Sequence, residues 1–187
     1  ARTLEFVVKK KPGGGASEWL FGGAIEGARV EWFGPLGGAT FAPNLDKNLL
    51  CIAGGSGIAG MMSILACADR AHYFERHTGQ VFFGVRTYAD AFYVDRLAAL
   101  AARWAGRLGV TIALSDEDVP AAARSAHPAL AFERGFVHEV AGRAMQGRYQ
   151  NVRAYLAGPP PAVDGAIRML LLQAKLGADN IRYDKFS

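Results

Sequence analysis

From Asn48 onward, short apolar runs alternate with longer stretches that are apolar on one side only. A short apolar run bounded by glycine or polar residues reads as a buried strand. Such runs predict strands near 48–53, 80–86, 109–114, 151–157 and 180–183. Helices are predicted near 57–71, 92–106, 136–145 and 161–176. Leu97, Leu100, Ala101 and Trp104 form an apolar stripe at helical spacing, as do Val163, Ile167, Leu170 and Leu171. This alternation argues for an α/β fold, a parallel sheet with helices on both faces. Before Asn48 the pattern differs. Thr3–Lys9 alternates and is β-rich, Pro12–Gly15 breaks it, and Ala16–Phe21 reads as a short helical turn capped by Ser17 or the glycines. Ala28–Phe33 reads as a further strand, closed by Gly34–Gly38, with Asn44–Lys47 as a linker. Two or three strands are too few for a stable sheet. The expectation is that an N-terminal part is lacking.

In a parallel sheet, ligands bind at the carboxyl ends of the strands. Three features fall there. The first is the turn Gly54-Gly55-Ser56-Gly57-Ile58-Ala59-Gly60, which follows Leu49-Leu50-Cys51-Ile52-Ala53. Gly55–Gly60 matches G-x-G-x-x-G in a strand–turn–helix context. Glycine permits a sharp turn and close ligand approach, and the following helix start offers free N–H groups to phosphate. With 23 glycines in 187 residues a chance match is easy; the position after a strand favours a nucleotide over a plain turn. No acidic residue ends the next strand, where Gln80–Thr87 runs, so the commonest dehydrogenase pattern is not met. The second feature is Arg86-Thr87. The third is Ala157-Gly158-Pro159-Pro160-Pro161. It reads equally as a rigid helix start or as a stiff wall beside a ligand, with Gly158 giving access.

Composition narrows the class. With 51% hydrophobic and 20% charged residues the chain is ordinary for a soluble globular protein. No apolar run is long enough to cross a bilayer, and the first residues do not read as a signal peptide. The net charge of +4 is spread along the chain apart from Lys9-Lys10-Lys11. No nucleic-acid motif accompanies it, whereas an acidic nucleotide or acidic protein partner fits. Cys51 and Cys67 read as buried free thiols, which suits a reducing cytoplasm. Two thiols cannot hold a cluster that needs four. His72, His77, His127 and His138 lack ligand or triad spacing and read as surface or capping residues; Asp116–Asp118 reads as a solvated loop. No metal site is expected.

Six segments together resemble one family. They are Phe6–Ser17, Phe33–Gly37, Ile52–Ala59, Phe83–Arg86, Leu156–Pro161 and Ile181–Ser187, in that order and over nearly the whole chain. The set resembles the ferredoxin–NADP reductase-like flavoprotein reductases, above all the reductase components of bacterial aromatic-ring oxygenases of phenol hydroxylase, toluene monooxygenase and carbazole dioxygenase type. The resemblance implies the end of an antiparallel β-barrel FAD domain over residues 1–45 and an NAD(P)-binding α/β domain over 46–187. It places flavin contacts on Val8, Lys9, Gly14, Gly15, Ala16 and Ser17, although the residues alone favour a plain N-cap for Ser17. It places the nicotinamide-nucleotide diphosphate on Gly54, Gly55, Ser56, Gly57 and Ile58. Ribose and adenine contacts fall on Arg86, Thr87 and Asp90. Arg86 suits a 2′-phosphate and Asp90 a free hydroxyl; the resemblance tips the choice to NADH over NADPH.

The family's Cys-Gly-Pro-Pro loop beside the nicotinamide falls on Ala157, Gly158, Pro159 and Pro160, with alanine where the family has cysteine. Phe186 matches an aromatic that covers the flavin ring, so Ala157 and Phe186 are the expected positions at the reacting rings. The family's Arg-x-Tyr-Ser flavin motif and its fused [2Fe–2S] domain are not in the sequence. The implied activity is hydride transfer from NADH to FAD, then single electrons to an iron–sulfur centre of a ferredoxin or oxygenase partner. No side chain need act as acid or base. The alternatives are a flavin-free NAD(P) dehydrogenase and a nucleotide-binding or electron-transfer subunit without its own activity.

Overall fold

The computed structural model describes residues 4–23, 25–34 and 36–186. The chain divides into two compact units, residues 1–37 and 38–187. The second unit thus begins upstream of the boundary expected after residue 45.

The first unit holds one short helix, α1 (Gly15–Phe21). Gly14 occupies its N-cap; Ser17 lies inside the helix, not at the cap. The Ser17 hydroxyl accepts from the Lys11 N–H at 3.1 Å and has the carbonyls of Lys11 and Gly14 each 3.0 Å away. It pins the preceding turn, where Gly13 stands at φ +72° and donates its N–H to Glu18 at 2.7 Å. The strands expected at 3–9 and 28–33 are not formed among the described residues; Thr3 lies outside them. A strand persists only where neighbouring backbone satisfies its N–H and C=O groups. The described residues of these two segments are not paired as a ladder. They retain an edge-to-face contact between Phe6 and Trp32, with ring centres 6.2 Å apart.

The second unit is a six-stranded sheet, every neighbouring pair parallel, in the order β4-β3-β2-β1-β5-β6. The strands are β1 (Asn48–Gly54), β2 (Gly79–Val85), β3 (Leu108–Leu114), β4 (Ala131–Arg134), β5 (Val152–Gly158) and β6 (Ile181–Lys185). The helices are α2 (Ile58–Arg70), α3 (Val94–Arg103), α4 (Ala121–Ala126), α5 (Val137–Ala144) and α6 (Pro160–Arg168). Successive strand residues point to opposite faces. Cys51, Ala53, Phe83 and Tyr155 therefore pack with Met61 and Leu65 of α2 and Leu97 of α3. Leu50, Ile52, Phe82 and Leu156 pack with Val140 of α5 and Val163 of α6 on the other face. α6 continues through a π-type turn at Met169–Gln173, which shortens the helix expected over 161–176.

Two elements were not expected, α4 and β4. Only Ala123 of α4 is buried, so it has no apolar stripe. β4 is a four-residue edge strand ending in Glu133 and Arg134. Two further expectations need correction. Cys51 is fully buried but Cys67 only partly so. His77 is buried rather than on the surface. Its Nε2 lies 2.8 Å from Asp46, its Nδ1 lies 3.1 Å from the Tyr73 carbonyl, and its ring stacks on that of Tyr73 at 3.9 Å. These contacts fix the turn that leads into β1.

Candidate nucleotide site

The chain adds β2, β3 and β4 on one side of β1 and then returns to place β5 and β6 on the other. The order reverses between β1 and β5, and ligands bind outside the carboxyl ends at such a reversal. Ala53 pairs with Ala157 there, so the glycine turn after β1 meets the turn after β5. The contact is tight. A Cβ at Gly57 would lie 2.2 Å from the Ala157 carbonyl oxygen, and one at Gly158 would lie 2.7 Å from the Gly54 oxygen. Gly158 also stands at φ +140°, where other residues are strained. In the usual dinucleotide motif the second glycine opens the backbone to the diphosphate. Here Gly57 opens it to the opposing turn instead, and the third glycine, Gly60, faces open space.

What the interlocked turns leave free is the rim. Gly55 stands at φ +51° with nothing near its Cβ position. Gly55–Gly57 forms a 3-10 turn that runs directly into α2. The first N–H groups of a helical path have no partner within it. No acidic residue occupies the first turn of α2. This donor set fits the diphosphate of a dinucleotide. Ile58 is fully buried and its N–H already bonds to the Gly55 and Ser56 carbonyls, so the sequence expectation of an Ile58 contact finds no free donor there. Opposite, Pro159 caps α6 at φ −65°, and Pro159, Pro160 and Pro161 form an exposed, stiff wall. Ala157 is buried, its side chain in the core beneath the turn.

The neighbouring rim is built from the ends of β2, β3 and β4. Arg86 is exposed, and its carbonyl accepts from the Asp116 N–H at 2.9 Å. Thr87 and Asp90 form a reciprocal cap: the Thr87 N–H and hydroxyl reach Asp90 Oδ2 at 3.1 and 2.9 Å. Asp90 therefore has a structural task in shaping this loop. The Glu117 carboxylate accepts the Tyr88 N–H, and Asp118 pairs with Arg134 at 2.6 Å. The segment read as a solvated loop thus braces the loop after β2. A second residue missed by sequence reading is Phe136, 58% exposed at the start of α5 and stacked on His138 at 6.0 Å. Its apolar neighbours Val137 and Val140 mask it in the sequence as one more core position.

At the other edge, Phe186 donates its N–H to the Gly158 carbonyl at 3.2 Å and its side chain is 43% exposed. The structure therefore brings together Gly54–Ile58, Ala157–Pro160 and Phe186, with Arg86, Thr87 and Asp90 one strand over. Val8, Lys9 and Gly14–Ser17 belong to the first unit. Among the described residues no cluster of three His, Cys, Asp or Glu can hold a metal ion, and no helix is long and apolar enough to cross a membrane.

Residues 51–167 match the family model described as the oxidoreductase NAD-binding domain. The chain belongs to this family. Within it, the chain is 35% identical to the ferredoxin–NAD(P)(+) reductase CarAd of Metapseudomonas resinovorans, over 97% of this chain and 50% of that protein. It is 34% identical to the xylene/toluene monooxygenase electron transfer component XylA of Pseudomonas putida, over 88% of this chain and 43% of that one. The solved ferredoxin reductase in carbazole 1,9a-dioxygenase superposes with a TM-score of 0.72 at 30% identity, over 96% of this chain and 50% of that structure. This oxidoreductase NAD-binding chain thus spans about half the length of these relatives.

Proposed function

We propose that this chain is the nicotinamide-nucleotide part of an electron-transfer flavoprotein reductase of the oxygenase type. The observation that carries the reading is the pair of interlocked turns at the sheet's reversal point, with the open glycine rim at Gly55 and Ser56 beside the start of α2, inside a domain of the oxidoreductase NAD-binding family. Gly54–Gly57 and the start of α2 would hold the diphosphate, and Pro159–Pro160 would wall the nicotinamide end. Residues 1–45 would be the end of a flavin barrel, with Val8, Lys9 and Gly14–Ser17 turned to FAD. FAD, when bound, supplies a two-electron acceptor able to release electrons singly. The work left to this chain is alignment, a proximity effect. The acceptor would be a ferredoxin or an oxygenase component, the partners that the names of the relatives suggest, and it would take the electrons at a [2Fe–2S] centre.

NADH is favoured over NADPH by charge. Asp90, Asp116, Glu117 and Asp118 crowd the loops after β2 and β3, against Arg86 and the Arg134 that pairs with Asp118. Like charge there opposes a 2′-phosphate. Phe136 offers an exposed ring on the same edge for the adenine. A second reading is a nucleotide-binding subunit without its own flavin chemistry. It is favoured by the lack of any strand among the described residues of the first unit.

The test is an anaerobic titration of the chain, supplied with FAD, by NADH and by NADPH, following the flavin absorbance. Bleaching by NADH at concentrations about tenfold below those needed for NADPH, equivalent to ~1.4 kcal/mol of discrimination, is the expected result. Bleaching by neither, with NADH still bound, supports the second reading.

A further inference from the structure

The amino end of β5, the end away from the nucleotide site, holds a charge in the interior. Arg153 is only 8% exposed. Arginine keeps its charge at every working pH, and a buried charge is costly unless it is paired and hydrogen-bonded. Arg153 is not so matched. Its Nη1 donates to the Asp179 carbonyl at 3.0 Å, its guanidinium carbon stands 6.0 Å from the centre of the Tyr155 ring, and its Nε is buried without a hydrogen-bond partner. Among the described residues it forms no ion pair. A second arginine joins it. Arg182 lies beside Tyr155 in the β5–β6 ladder, so it shares a sheet face with Tyr155 and Arg153. Its Nη1 donates to the Ile181 carbonyl at 2.9 Å. The two guanidiniums thus bond to carbonyls two residues apart at the entry to β6. The nearby acids do not answer them: Asp184 accepts the Gly38 N–H at 3.1 Å, and Asp179 offers Arg153 its carbonyl.

We infer that Arg153 and Arg182 form a binding site for a small oxyanion of the phosphate class, either free phosphate or the phosphate of a monoester. Guanidinium groups present planar forks of donors that match phosphate oxygens, and a dianion balances two of them. The burial of Arg153 limits the occupant to a small headgroup. Arg153 lies four residues before Ala157 on β5, about 13 Å away by strand rise, so this site is separate from the glycine turns. It goes beyond the reading under Proposed function and does not depend on it. The anion would match the charge that the fold leaves unbalanced and tie β5 to the turn at Ala178–Asn180.

The experiment is a titration of the isotope-labelled chain with inorganic phosphate and with glycerol 3-phosphate, following amide shifts, against sodium chloride at matched ionic strength. Saturable shifts are expected at residues 152–155 and 180–182. Tighter binding of the monoester assigns the site to a phosphorylated metabolite, and tighter binding of inorganic phosphate assigns it to the free ion. Arg153→Met and Arg182→Met should each weaken binding about tenfold, the usual weight of a hydrogen bond to a charged partner. Arg153→Lys keeps the charge but not the fork and should weaken it less. Any shifts at Gly55–Gly57 report the nucleotide site and should persist in these variants. Urea unfolding gives a second readout. In chloride alone Arg153→Met should be no less stable than the parent, because it removes an unmatched buried charge. With phosphate in excess only the parent should gain stability.

Shifts no larger than those in chloride, shifts confined to Gly55–Gly57, or binding that survives both methionine variants would overturn the site. So would an equal loss of stability in Arg153→Met with and without phosphate, which would make the guanidinium a brace for the Asp179 carbonyl and nothing more. Asp179→Asn tests for an internal counter-charge. Unchanged stability in chloride is expected; a loss there would mean that the Asp179 carboxylate already balances Arg153, and the site would fall. Arg182→Met, at a half-buried position, carries the binding test by itself if Arg153→Met does not fold.

Discussion

At the residue scale, the glycines carry most of the argument, for different reasons. Gly57→Ala drives a methyl into the Ala157 carbonyl, a contact with no flexible atom to yield. Overpacking of this kind costs about 1–3 kcal/mol, read by urea unfolding, and should weaken NADH binding at least in proportion. Gly55→Ala meets no neighbour but must hold φ +51°, a cost of about 1–2 kcal/mol. The motif could be found in the sequence, but its division of labour could not, because the partner of Gly57 lies about a hundred residues away in β5. Glu117 was illegible for a similar reason: three consecutive acids look like solvent-facing charge until Tyr88 is brought beside them. Cys51 gives a further prediction at this scale. Burial pushes its thiol from 9.0 up to about 12. The thiolate is the reactive form, so a thiol reagent at pH 8 should titrate Cys67 in the folded chain and Cys51 only on unfolding. The unfolded thiol releases its proton from about pH 9 while the folded one keeps it. Stability contributed by this group is present below that pH and declines as pH rises towards about 12, by up to ~1.4 kcal/mol per unit. A urea series across that range checks the slope.

At the element scale, legibility followed burial. β1, β2, β3 and β5 are nearly continuous apolar runs because both their faces are covered, and each was readable within a residue or two. β4 is a short charged edge strand and α4 is an alanine-rich turn with one buried residue, so neither has a period to read. Ala28–Phe33 has strand composition but no described partner, which shows how far β-propensity depends on what lies alongside. The covered strands should also be the costly ones to truncate. Phe82 is fully buried between β2 and the α5–α6 layer. Phe82→Ala should cost about 3–5 kcal/mol by chemical unfolding, whereas Phe136→Ala, half-exposed on the rim, should cost little stability and weaken nucleotide binding.

At the scale of the whole molecule, the alternating pattern pointed to a parallel sheet and to its carboxyl edge, but not to the strand order. That order decides everything about the site, since it places β5 against β1. A nucleotide that bridges the two turns should stabilise the sheet as one body. At a hundredfold excess over its dissociation constant it should add about 2.7 kcal/mol, seen as a rise in the unfolding midpoint with the largest amide protection at Gly54–Gly57 and Gly158.

The same seam bears on how the chain is made. Asn48 pairs with Val152, so the central strand of the sheet acquires its second neighbour only after roughly a hundred further residues have been synthesised. A nascent chain can assemble β1 to β4 in order as it emerges from the ribosome, yet one side of its innermost strand stays bare until β5 follows. Such an uncovered apolar edge invites pairing with another chain. A nucleotide held as proposed could not shield it, because half of that cradle arrives on the strand that closes the gap. The interval between the emergence of β4 and of β5 is therefore when this edge is open to pairing with another chain.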